Sequence, residues 1–159
     1  MHKSVDKNLL LKYLQIVGSC YATGDFEPLF PYLSDDCVWE SQWRLTSETG
    51  KETVINYFTK KGETLRKTGS FPKWMVVEFV DNMNPVRAHL KGKNIDSSRP
   101  TRVALFYEEG KLALFMAQDL DDVTNASIVD LTIDDNNLIK RIDICMPELF
   151  KFVKYEPNK

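Results

Sequence analysis

Histidine and cysteine are scarce in this chain, with two of the first and three of the second among 159 residues. Cys20, Cys37 and Cys145 are odd in number and include no CxxC pair. That argues against a disulfide framework and against the usual structural zinc sites. Neither His2 nor His89 stands in a recognisable Cys-His motif. The three thiols therefore read as small buried hydrophobes in a reducing compartment, and no metal or cofactor is expected. Long apolar runs are lacking too, and nothing approaches the ~18 residues of a membrane span. The opening Met1–Lys7 carries charge without an apolar signal-peptide core. An excess of one charge is the last absence. Lys and Arg number 21 against 23 Asp and Glu, a formal balance of −2, which gives no general attraction to nucleic acid. Arg87, His89, Lys91, Lys93, Arg99 and Arg102 are locally basic. They lack interleaved aromatics, so the stretch reads as a solvated loop. The expectation is a cytoplasmic protein with neither nucleic acid nor membrane as a partner.

What is present suits one packed domain. Hydrophobic residues make up 43% and charged residues 28%, close to globular averages. A chain of this length buries a substantial core, and we read 1–159 as a single domain. From Asp6 to Thr23, Leu9, Leu10, Tyr13, Leu14, Ile16, Val17, Cys20 and Tyr21 recur at helical spacing. Ser4 or Asp6 would cap that helix, and Gly24 would close it. Pro28 and Pro31 leave room for only a short helical turn before a strand over Cys37–Trp43. A second helix is predicted over Gly50–Lys67, with Val54, Ile55, Phe58 and Leu65 on its apolar face. Thr49 and Glu52 have the spacing of a capping box. Gly69 ends this helix, Pro72 follows, and Trp74–Val80 is β-prone.

The remainder reads as strands. Val86, Ala88 and Leu90 alternate with basic residues as in an edge strand, and Lys93–Pro100 as a loop. Thr101–Glu108 and Lys111–Asp119 flank the turn signal Glu109-Gly110. Ser127–Ile133 and Leu138–Met146 flank Asp134-Asp135-Asn136-Asn137. Helices first and antiparallel hairpins after give an α+β fold, a curved sheet wrapped around the helices as a cone. The mouth of such a cone is the natural place for a pocket.

Two stretches carry a resemblance. Ala22-Thr23-Gly24-Asp25-Phe26, followed by Leu33-Ser34-Asp35-Asp36-Cys37-Val38-Trp39-Glu40-Ser41, gives a helix stop, a corner and a strand. Thr49-Gly50-Lys51-Glu52-Thr53-Val54-Ile55-Asn56-Tyr57-Phe58 opens the next helix. This order resembles the nuclear transport factor 2-like superfamily, which includes the steroid isomerases and the SnoaL-like cyclases. The resemblance implies a cone with an interior cavity. It also implies catalytic positions that are altered here. The oxyanion tyrosine of the isomerases falls on Val17, their proton-shuttling aspartate on Ser41, and their second oxyanion acid on Val129. A serine hydroxyl is far too weak a base to take a proton from carbon unaided. What the resemblance then implies is a small-molecule binder, or an enzyme of the isomerase, cyclase or dehydratase kind working without the known Tyr and Asp. The non-enzymatic transport-factor branch supplies the other expectation, a dimeric protein-interaction module.

Strand alternation selects the candidate site. If Ser41 faces inward, Cys37, Trp39 and Trp43 do too, and Glu40 faces away. Tyr13, Val17 and Tyr21, four residues apart on one helical face, would oppose them. Gln118 closes an apolar strand nearby. The expected binding set is Tyr13, Val17, Tyr21, Trp39, Ser41, Trp43 and Gln118, receiving a small apolar or aromatic molecule. Taken singly, each of these aromatics also suits a filled core. Arg141 and Asp143 share the other face of their strand, and Asp143 is expected to pair there with a cross-strand or diagonal basic neighbour, exposed to solvent. Ala104, Phe106, Ala113, Phe115 and Ala117 form a second apolar face of their hairpin. With no partner within the chain, that face would make the protein a homodimer.

Overall fold

A computed structural model describes residues 6–43, 46–81, 109–121, 125–147 and 150–157. The expected edge strand at 86–90, the loop at 93–100 and the strand at 101–108 lie outside them, as does the basic stretch from Arg87 to Arg102.

Helix α1 spans Lys7–Thr23. Its N-cap is Asp6, whose carboxylate accepts from the Asn8 N–H at 2.9 Å. Gly24 ends the helix at φ 75°, a left-handed conformation that costs glycine little. A 3-10 turn, Glu27–Tyr32, follows. Helix α2 spans Lys51–Thr68 and buries Val54, Phe58, Gly62 and Leu65. The capping box is absent. Gly50 occupies the N-cap at φ 95° without a side-chain bond, because Thr49 is already paired in a strand with Val38.

Seven strands form one sheet: β1 Leu33–Ser41, β2 Thr46–Thr49, β3 Lys73–Asp81, β4 Leu112–Ala117, β5 Ser127–Ile133, β6 Ile139–Cys145 and β7 Lys151–Lys154. Their order is β2-β1-β6-β5-β4-β3-β7. Every pairing is antiparallel except β1 with β6, which run parallel. The result is an α+β fold with a curved, unclosed sheet. The short edge strands β2 and β7 were not anticipated. Four residues each, they are too brief to show an alternation of their own.

Alternation decides what each face of the sheet meets. Leu112, Leu114, Val129, Leu131, Ile142 and Ile144 point to the inner face, where they join Leu14 and Val17 of α1 and Val54 and Phe58 of α2. Helix α1 comes close to α2 and to β3 because small residues stand at the contacts. At Gly62 a Cβ would land on the Gly24 carbonyl oxygen, and at Gly18 it would land in the Trp74 ring. Arg66 Nη1 donates to that same Gly24 carbonyl.

The opposite face is not bare. Of the five residues expected to line a dimer surface, Ala104 and Phe106 lie outside the described residues. Ala113, Phe115 and Ala117 are buried within the single chain, Phe115 to 1% exposure. They belong to a second core with Val77, Phe79, Ile128 and Cys145. Phe150 stacks on Phe79 at 4.9 Å and Phe152 leans on Phe115 at 5.6 Å. The chain's own last segment thus covers part of the face that was expected to need a second copy. Each such phenylalanine, fully buried, contributes on the order of 1.5–3 kcal/mol.

Candidate functional site

Strand β1 builds the first wall of a cleft between the inner face and α2. Cys37, Trp39 and Ser41 all point inward and are buried, as alternation requires. The strand ends at Ser41. The turn after it is pinned, because the Gln42 N–H donates to the Ile144 carbonyl at 2.9 Å while Gln42 Oε1 accepts from the Met146 N–H at 2.7 Å. Trp43 therefore sits past the strand at the cleft mouth, 45% exposed, not in the interior as alternation alone would have it.

Helix α2 supplies the second wall through Tyr57, Lys61 and Leu65, and the start of β3 with the end of β4 closes the far side through Pro72, Met116 and Gln118. Gln118 Nε2 donates to the Ser70 carbonyl at 3.1 Å, tying the end of β4 to the turn before β3. The cavity holds about 310 Å³, at the lower end of the range for small-molecule sites. The Trp39 and Tyr57 rings lie 3.9 Å apart at 31°. Trp39 is 2% exposed, yet its Nε1–H has no hydrogen-bond partner among the described residues.

Five of the seven expected residues meet at this cleft: Tyr21, Trp39, Ser41, Trp43 and Gln118. Tyr13 and Val17 do not. They share a helical face with Tyr21, but eight residues of helix place Tyr13 about 12 Å along the axis. Its hydroxyl donates to the Asn137 carbonyl, its ring faces Tyr32 at 5.2 Å, and Val17 is sealed in the core between. Val129 is likewise a core residue, facing the inner layer. Tyr57 and Lys61 were missed. Their signal was the i, i+4, i+8 stripe Tyr57–Lys61–Leu65 flanking the apolar face of α2.

Chemically, the described lining offers hydroxyls, amides, the indole N–H groups of Trp39 and Trp43, and one ionisable group apart from the tyrosines, Lys61. No carboxylate, imidazole or thiol stands among those residues. The thiols are held protonated elsewhere. Burial pushes Cys20 up to about 12 and Cys37 up to about 11, and Cys145 is raised well above its ordinary value. No group of residues suited to a metal ion occurs among the described residues.

The outer face holds a second polar feature. Glu40, Asp143 and Asp130 are direct neighbours across β1, β6 and β5. Arg141 bridges the first two, with Nη2 2.7 Å from Glu40 Oε1 and 2.9 Å from Asp143 Oδ1. Lys111 Nζ stands 2.9 Å from Asp130 Oδ1, near enough for an ion pair but off hydrogen-bond alignment. The basic partner of Asp143 is thus Arg141 of its own strand and not a cross-strand or diagonal neighbour, and the pair is not on an exposed surface: the two are 8% and 2% exposed. Burial, more than any neighbour, pushes the Asp143 carboxyl up to about 6, while Arg141 pulls it down and Asp130 and Glu40 push it further up. With cation and carboxylate interlocked, this cluster reads as a tie across three strands.

No protein-family model and no curated protein matches the chain. The class is therefore set by architecture: an α+β fold with a curved, unclosed sheet, consistent with a nuclear transport factor 2-like cone. No helix among the described residues is long and apolar enough to cross a membrane.

Proposed function

We propose that this chain is a small-molecule-binding protein of the nuclear transport factor 2-like superfamily. Its cleft takes a compact, largely aromatic or apolar molecule that presents a hydrogen-bond acceptor to Trp39. The observation that carries this reading is the buried Trp39 Nε1–H in the cleft wall, which has no partner among the described residues. Leaving such a donor unsatisfied costs about 1–3 kcal/mol, which a bound acceptor would recover. The Trp39–Tyr57 pair offers a flat surface for a ring. The described lining lacks the carboxylates that move protons in the isomerases, so the reading is of binding rather than of isomerisation. Three buried, protonated thiols suit a cytoplasmic protein.

The test is a titration with 2-acetylnaphthalene and with 2-ethylnaphthalene, which lacks the carbonyl, followed through the indole N–H resonances by NMR. The ketone is expected to bind several-fold more tightly and to move the Trp39 resonance. The preference should disappear in Trp39→Phe, which keeps a ring but removes the donor. A Trp39 resonance indifferent to both probes would sink the reading.

A further inference from the structure

The cleft does not end at Tyr57. A second groove, of about 470 Å³, lies along α2 and shares Tyr57 and Lys61 with it. Lys61 thus stands where the two spaces meet. In the cleft it is the one charged group among the described lining residues. In the groove it is joined by its chain neighbour Lys60, against a single described carboxylate, Glu48. The path from the indole of Trp39 to the open groove therefore runs from apolar and aromatic to cationic.

We propose that the ligand is an aromatic anion. This rests on the cleft reading and adds a substrate class to it. The flat portion lies against Trp39 and Tyr57, and the anionic head meets Lys61 at the junction, with Lys60 adding to the field from the groove. A cleft with low-dielectric walls strengthens the pull of a cation on an entering anion. An ammonium is a point charge with rotatable donors and imposes no bidentate geometry. It selects for charge rather than for the shape of one particular head group. The cavity volume limits the buried part to about one or two rings.

Three probes of one shape separate the terms: 2-naphthoate, 2-naphthamide and 2-naphthylmethylammonium. With the wild-type protein, naphthoate is expected to bind about tenfold more tightly than the amide, and the ammonium most weakly. Raising the salt concentration should weaken naphthoate and leave the amide unchanged. Lys61→Met keeps the aliphatic stem and removes the charge, so it should bring naphthoate down to the affinity of the amide. Lys61→Arg should restore most of the difference. Equal affinity for naphthoate and amide in the wild type overturns the anion inference and leaves the aromatic cleft standing. So does a preference that survives in Lys61→Met. Absence of binding by all three probes, together with 2-acetylnaphthalene, overturns both.

Discussion

Asp143→Asn should remove a defined part of the pH dependence of stability. Asp143 is 2% exposed, and burial is the main reason that its carboxyl is pushed up to about 6 from an ordinary 3.8. A folded-state value above the unfolded one means that the folded protein holds this proton more tightly. The stability so gained is fully present below about pH 3.8 and is lost as pH rises through about 6. A gap of about two pH units is worth about 3 kcal/mol, a large share of the 5–15 kcal/mol that holds a domain together. Asparagine does not titrate, while Glu40, Asp130, Arg141 and Lys111 remain in both proteins. The wild type's advantage over Asp143→Asn should therefore shrink by about 2–3 kcal/mol between pH 4 and pH 7. Urea unfolding at several pH values and constant ionic strength measures it. Two stability profiles that stay parallel within about 0.5 kcal/mol would refute the reasoning, because they would mean that Asp143 titrates alike in both states.

Two further substitutions probe the packing. Gly62→Ala places a Cβ against the Gly24 backbone carbonyl, which has no flexible end to move aside; we expect a loss of about 1–3 kcal/mol in urea unfolding, and an unchanged midpoint would show that the helices separate freely there. Tyr13→Phe removes the bond to the Asn137 carbonyl and should cost about 1 kcal/mol without altering the affinity for 2-acetylnaphthalene. A change in that affinity would return Tyr13 to the binding site.

The parts of the site that were legible in the sequence follow from the period of the strand. Cys37, Trp39 and Ser41 lie where alternation puts them, and Glu40 lies on the opposite face. Alternation says nothing once a strand has ended, which is why Trp43 was misplaced. Tyr13 shows a different limit, since periodicity fixes direction around a helix but not distance along it. The capping box at Thr49 failed because that residue is taken by a strand partner, Val38. The burial of Arg141 and Asp143 was invisible because a run such as Lys140-Arg141-Ile142-Asp143-Ile144 looks like a half-solvated strand. Only the tertiary fold reveals that its polar side is closed off. The covering of Phe115 has the same origin, since Phe150 and Phe152 reach the sheet from a segment that is remote in sequence.

The parallel pairing of β1 with β6 has a kinetic side. Trp39 faces Ile142 across that pair, a separation of 142 − 39 = 103 residues, whereas β5 and β6 are joined by a tight turn. Closing so long a loop costs entropy before any contact compensates for it. The hairpin of β5 and β6 can form early, while β1 must wait for it. Trp39, Ser41 and Glu40 all reside on β1, so both the cleft wall and the ionic tie are completed in that last docking. On a ribosome, β1 would remain without this sheet neighbour until β6 had emerged, leaving the apolar side chains of Cys37 and Trp39 in need of protection during synthesis.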